Sequence, residues 1–287
     1  MTLFQIFVGL LITLSMAVRP IVYKKCVEYF PASLSSTFTS IWLLLALFIT
    51  FPFLGHLFTD NAQEIVTSPY LLLSVAKGFL LYFLIKLQQV INKEGSSSSV
   101  FFGFIAMALG SLVINIFFKE GLGIIKLLCV CLMGVLGVFF VLKGDARRLS
   151  TKGKIYFVTI ILIVSSFTIT DHLAISQVGW YAHLLFSSIA MFLGCFFAGI
   201  SKQDYRNIFR NKDIVIAGLV YSSSEFLIIY SSINVMPVSV IAVFLRMSAP
   251  LVMLVSVFKY KEQTVKNQLV FGVMALLLAL PIILMKN

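Results

Sequence analysis

The sequence predicts an all-α membrane protein with ten transmembrane helices, arranged as two inverted five-helix repeats. Three observations predict it. Of the 287 residues, 60% are hydrophobic and 11% are charged, against about 45–50% and about 25% in a soluble domain. Ten apolar stretches follow one another, each close to the roughly 20 residues that a helix needs to cross a bilayer. The chain also resembles itself when residues 91–144 are laid on residues 233–286, an offset of 142.

The ten stretches are 2–23, 33–54, 69–91, 97–118, 122–142, 155–173, 179–200, 213–232, 237–258 and 266–285. The first carries Arg19-Pro20 near its end. Ser15-Met16-Ala17 resembles a cleavage site, but no Lys or Arg precedes it to form a charged leader, so the segment is read as a retained span. The run 96–99 of four Ser caps the fourth stretch, where Gly103, Ala106 and Gly110 share a face suited to close helix packing. Trp180-Tyr181 opens the seventh as an interface anchor. A tight turn at 233–237 joins the eighth to the ninth. All runs are continuous rather than alternating, which excludes a β-barrel.

The longest polar connections are 143–154 and 201–213. Neither is long enough to fold as a domain, so binding must take place within the membrane region and no enzymatic activity is expected. Cys26, Cys129, Cys131 and Cys195 form no CxxC pair and His56, His172 and His183 do not cluster with them. No disulfide framework, metal or cofactor is therefore expected. The net charge of +11 is an orientation signal rather than a nucleic-acid signal. Lys24, Lys25, Lys93, Arg147, Arg148, Lys152, Lys154, Arg206, Arg210, Lys212, Lys261 and Lys266 gather on one side, against Lys119, Lys126 and Lys286 on the other.

The repeat rests on its polar matches. Ile91-Asn92 aligns with Ile233-Asn234, and Lys119-Glu120 with Lys261-Glu262. Matches such as Leu109 with Leu251 carry less weight in an apolar chain. The offset divides the chain into units 1–144 and 150–287 of five spans each. An odd number of spans inverts the second unit, an architecture that places solute sites at the repeat interface near the midplane.

The stretches starting at Ser96 and at Met236 resemble the second part of an EamA-type repeat. The shared features are a small or Ser-rich helix start, a Pro in the span, a Glu in a tight turn and a Gly in the following span. Here these are Ser239, Pro250, Glu262 and Gly272, and in the first repeat Ser97, Glu120 and Gly134, with Ala108 where the Pro would stand. The chain thus resembles a ten-span permease of the drug/metabolite transporter superfamily. That resemblance implies two EamA-like repeats in the inner or plasma membrane, alternating access and cytoplasmic termini. The basic loops instead place both termini outside. A reporter fused to the C-terminus decides between them.

Charged side chains inside spans are costly and are the site candidates. Glu225 and Arg246 lie at matching depth, each roughly 15 Å from the turn at 233–237 at about 1.5 Å per residue. Arg246 suits an anionic group and Glu225 a cation or proton; the alternative is an ion pair that only fixes two helices. Lys77 lies deep in the third span, on the face opposite Lys86, which can snorkel. Arg19 and Asp171 lie late in spans one and six, and Asp171 is followed by His172, either as a proton relay or as a helix-end marker. The expected function is transport of a small polar solute bearing an anionic group, such as an amino acid or organic acid, with a coupling proton or ion. A lipid or lipid-linked-sugar translocase and a non-transporting scaffold are the rival readings.

Overall fold

Helix-forming apolar runs dominate the chain, and helices are what form. A computed structural model describes residues 1–29, 32–94, 98–118, 123–143, 150–197, 202–236, 240–241, 243–245, 247–248, 251–252 and 265–284. These residues contain no strand. The helices are α1 (Leu3–Tyr29), α2 (Ala32–Leu54), α3 (His56–Thr59), α4 (Ala62–Thr67), α5 (Leu71–Glu94), α6 (Ser98–Phe118), α7 (Ile124–Lys143), α8 (Thr151–Val178), α9 (Trp180–Gly194), α10 (Lys202–Arg210), α11 (Lys212–Asn234) and α12 (Val265–Leu284). A 3₁₀ turn, Cys195–Phe197, extends α9.

Local chemistry sets several helix starts. Thr2 and Gln5 form a reciprocal capping box: the Gln5 amide donates to Thr2 Oγ1 at 3.2 Å, and the Thr2 amide donates to Gln5 Oε1 at 2.9 Å. Ser150 caps α8 by accepting from the Gly153 amide at 3.0 Å. Asn211 caps α11 by accepting from the amides of Asp213 and Ile214. Such caps are each worth about 1 kcal/mol.

Five of these helices are long and apolar enough to cross a membrane, over Leu3–Tyr23, Leu34–Leu54, Leu71–Gln88, Thr151–Val178 and Lys212–Ser232. Shorter apolar helices lie over Ala108–Phe117, Ile124–Phe139, Trp180–Gly194 and Val270–Ile282. Large apolar side chains point outward from them, among them Phe4, Phe48, Phe53, Ile124 and Leu162. Outward apolar side chains on this scale suit hydrocarbon surroundings rather than water.

Several boundaries differ from expectation for physical reasons. Helix α1 continues through Pro20 to Tyr29 rather than ending near Arg19-Pro20. Helix α8 continues to Val178, beyond the expected end at 173, because the polar residues after Asp171 are themselves compatible with helix. The polar stretch 201–213 contains α10, whose Ile208 is buried against its surroundings while Tyr205 and Phe209 are exposed. Most of the ninth expected span lies outside the described residues, as do the repeat markers Ser97, Glu120, Ser239, Pro250 and Glu262. The matched Ile-Asn pairs fall at corresponding places, in the last turns of α5 and α11.

The chain divides into two compact units, and each draws on both halves of the sequence. One comprises Met1–Ile21, Val90–Ile169 and Val235–Asn287. In it α7 packs against α6 and α12. Gln5 Nε2 donates to the Val235 carbonyl at 2.6 Å, and Thr13 Oγ1 to the Phe244 carbonyl at 2.9 Å. The other comprises Val22–Gln89 and Thr170–Asn234. In it α2 packs against α9 and α11, α9 packs against α11, and α3 bridges α2, α4 and α9. The start of α2 buries Ser35, Ser36, Thr37, Thr39 and Ser40. The hydroxyls of Ser36, Thr39 and Ser40 find partners in carbonyls, as where Ser36 Oγ donates to Tyr82 O at 2.9 Å. Hydroxyls without partners would be costly in such an interior.

Candidate functional site

The second unit gathers ionisable side chains from three helices. Lys77 comes from α5, Asp171 from α8 and His183 from α9. Lys77 Nζ lies 2.7 Å from Asp171 Oδ1. His183 Nε2 lies 3.0 Å from the same oxygen and 3.2 Å from Lys77 Nζ. Ser74 Oγ lies 2.8 Å from His183 Nδ1. The side chain of His183 is fully buried, that of Lys77 is 5% exposed and that of Asp171 is 20% exposed. The carboxylate is thus the member of the cluster nearest to an open surface.

Three local features build this arrangement. Ser74 and Lys77 are three residues apart on α5, so they share a face. Gly78, next to Lys77, allows α9 to come close: a Cβ there would collide with the Ser187 carbonyl oxygen and would stand 2.7 Å from the Ala190 Cβ. Gly179 makes the sharp junction between α8 and α9 with φ +79°, a left-handed conformation that glycine adopts without penalty. Its amide donates to the Ile175 carbonyl at 3.0 Å, closing α8, and its carbonyl accepts from the His183 amide at 3.0 Å, opening α9. This hairpin folds His183 back toward Asp171.

Nε2 can serve only one neighbour at a time. Lys77 is a donor only, and one of its three N–H groups reaches Asp171 Oδ1, which as a carboxylate oxygen can accept from Nε2–H as well. The consistent arrangement has Nε2–H donating to Asp171 Oδ1. Nδ1 is then left to Ser74, whose hydroxyl can either donate or accept. With the ring neutral, Lys77 and Asp171 cancel and the cluster carries no net charge. Glu225, half-buried on α11, acts on the His183 ring electrostatically.

Of the residues expected from sequence, the structure thus brings together Lys77 and Asp171, with Glu225 within electrostatic range of their shared partner. Arg19 is half-buried in the other unit, where its Nη1 lies 3.3 Å from Met16 Sδ. Arg246 lies outside the described residues, so its pairing with Glu225 does too. Lys86 is exposed.

Two readings need correction. The imidazole that meets Asp171 is His183, not the adjacent His172. Neighbouring helix residues point about 100° apart, so they cannot share one pocket, whereas the α8–α9 hairpin brings a distant residue into line. Nor does Asp171 mark a helix end, since α8 runs on for about two more turns. Sequence reasoning also missed Lys126, counted among loop residues but buried near the start of α7. The signal for His183 was present: a deeply placed Lys and an Asp need a polar neighbour, and Gly179 lies between Asp171 and His183. Among the described residues, no group of three or more His, Cys, Asp or Glu is placed to hold a metal ion.

No protein-family model matches the chain, and no curated protein matches it.

Proposed function

We propose that the chain is a multi-pass permease of the cell membrane. It moves a small polar solute bearing an anionic group, such as an amino acid or organic acid, by alternating access. In this reading ten spans form two inverted repeats, and the chain is a relative of the EamA-like permeases that it resembles. The observation that carries the proposal is the contact of Lys77 and Asp171, from two helices long and apolar enough to cross a membrane, with each other and with His183 from a shorter apolar helix. Charged groups in such helices are expensive and typically mark solute or ion pathways. Lys77 supplies the cation for the solute's anionic group.

The test is a thermal-shift screen of the purified protein over amino acids, organic acids, nucleotides and amines. A ligand that binds only the folded protein raises its Tm. The expected result is a rise with one class of anion-bearing solute, lost in the double variant Lys77→Met, Asp171→Leu and in Arg246→Ala. Headgroup-labelled lipid moving in liposomes while every free solute leaves the Tm unchanged would replace this reading with the lipid translocase.

A further inference from the structure

We propose that His183 is the proton-binding residue of the transport cycle, with Ser74 as the hydrogen-bond partner that lets the ring carry either charge without moving. This rests on the permease reading above and assigns its coupling ion.

A carboxylate only accepts, so the neutral tautomer that satisfies Asp171 carries its proton on Nε2, 3.0 Å from Oδ1, and leaves Nδ1 to accept from the Ser74 hydroxyl at 2.8 Å. A proton that arrives adds to the Nδ1 lone pair. The Ser74 O–H then rotates away, and Nδ1–H donates to Ser74 Oγ across the same 2.8 Å. Nε2–H keeps its bond to Asp171. No heavy atom has to shift, and no buried polar atom of the ring loses its partner in either state. Serine is one of the few side chains that can make this exchange, because its hydroxyl both donates and accepts. A purely structural histidine needs a partner for only one state.

The electrostatic setting fits a group that changes charge. His183 faces Lys77 from α5, Asp171 from α8 and Glu225 from α11. The segments of α2 and α3 packed against α9 supply one further titratable side chain, His56. Burial of the ring and the Lys77 ammonium oppose a second positive charge, while Asp171 and Glu225 favour it. With the ring neutral, Lys77 and Asp171 cancel. With the ring protonated, the cluster gains one positive charge. An anionic solute is then drawn to the site, and bound solute in turn holds the proton, since coupling between two ligands is reciprocal. Proton and anion travel together.

The test is a ¹⁵N NMR titration of histidine-labelled protein in lipid nanodiscs. A variant carrying His56→Gln and His172→Gln keeps His183 as the single ring. The expected result is a reversible change from one protonated ring nitrogen to two, with a midpoint between about pH 5 and about pH 8. Ser74→Ala should keep the ring neutral to about one pH unit lower, and Ser74→Thr, which restores a hydroxyl, should return the midpoint. A ring that holds one state from about pH 4.5 to about pH 8.5 overturns the proposal. So does a midpoint that Ser74→Ala leaves in place. A ring that titrates as expected in a protein that binds no solute keeps the proton site and removes the permease reading. A locked ring in a protein whose Tm rises with an anionic solute does the reverse.

Discussion

The two units are built from the same materials and use polarity differently. Both combine apolar helices from the two halves of the chain. In the unit containing α6, α7 and α12, the described cross-helix polar contacts of Gln5, Thr13 and Ser165 run to backbone carbonyls at Val235, Phe244 and Ala106. A contact of that kind ties two helices together and leaves no charge to respond to a ligand. In the unit containing α2, α9 and α11, three ionisable side chains from three helices meet at a single carboxylate oxygen. The first kind of contact is cheap and local. The second is expensive, which makes it the candidate site.

The largest expected effect comes from breaking the charge cluster. Asp171→Leu leaves the Lys77 ammonium buried beside His183 without its counter-ion. Removing one partner of a buried pair costs about 3–5 kcal/mol. A large fall in Tm is therefore expected. The double variant Lys77→Met, Asp171→Leu replaces the pair with apolar side chains and should recover most of that loss. If the single variant melts like the wild type, the cluster is not buried as described and the contrast between the units disappears.

Gly78→Ala attacks the same unit through packing. The added methyl meets the Ser187 backbone, which cannot rotate aside, so α5 and α9 must separate. Overpacking of this kind costs about 1–3 kcal/mol. It also draws Ser74 and Lys77 away from His183. The Tm should fall, and any stabilisation by anionic solute should weaken further than the fall in Tm alone explains. Gly179→Ala places an L residue at φ +79°, ψ 155°, a region essentially restricted to glycine, at a cost of about 1–3 kcal/mol. The space around its Cβ is empty, so strain in the backbone is the whole of the effect. A Tm loss without loss of solute response is the expected pattern there.

The sequence made the helices legible, because apolar runs of fixed length leave few alternatives. It also made Lys77 and Asp171 legible as candidates, because any charge stands out in such a chain. It did not show that the two meet. Their contact depends on Gly78 and Gly179, two glycines that read as ordinary helix and turn residues until a neighbour is known. Adjacency in sequence pointed Asp171 toward His172, whereas helix geometry turns that side chain elsewhere and the hairpin delivers His183. Lys126, near the start of the fifth expected span, counts with the charges near the loops, and its burial depends on neighbours that the sequence does not identify.

The smallest expected effect tests the other side of the contrast. Thr13 is buried in α1, and its hydroxyl donates to the Gly9 carbonyl at 3.0 Å and to the Phe244 carbonyl at 2.9 Å. Thr13→Val keeps the shape and removes the hydroxyl. Both carbonyls are helical or helix-adjacent, so neither depends on Thr13 alone. Cross-helix hydrogen bonds in membrane proteins average about 0.6 kcal/mol. A Tm shift near the limit of measurement is therefore expected, with solute response unchanged. A loss as large as that of Asp171→Leu would mean that polar contacts in the two units carry similar weight. The buried charge cluster would then be one fastening among several, and the case for a site would have to rest on its response to solute and proton alone.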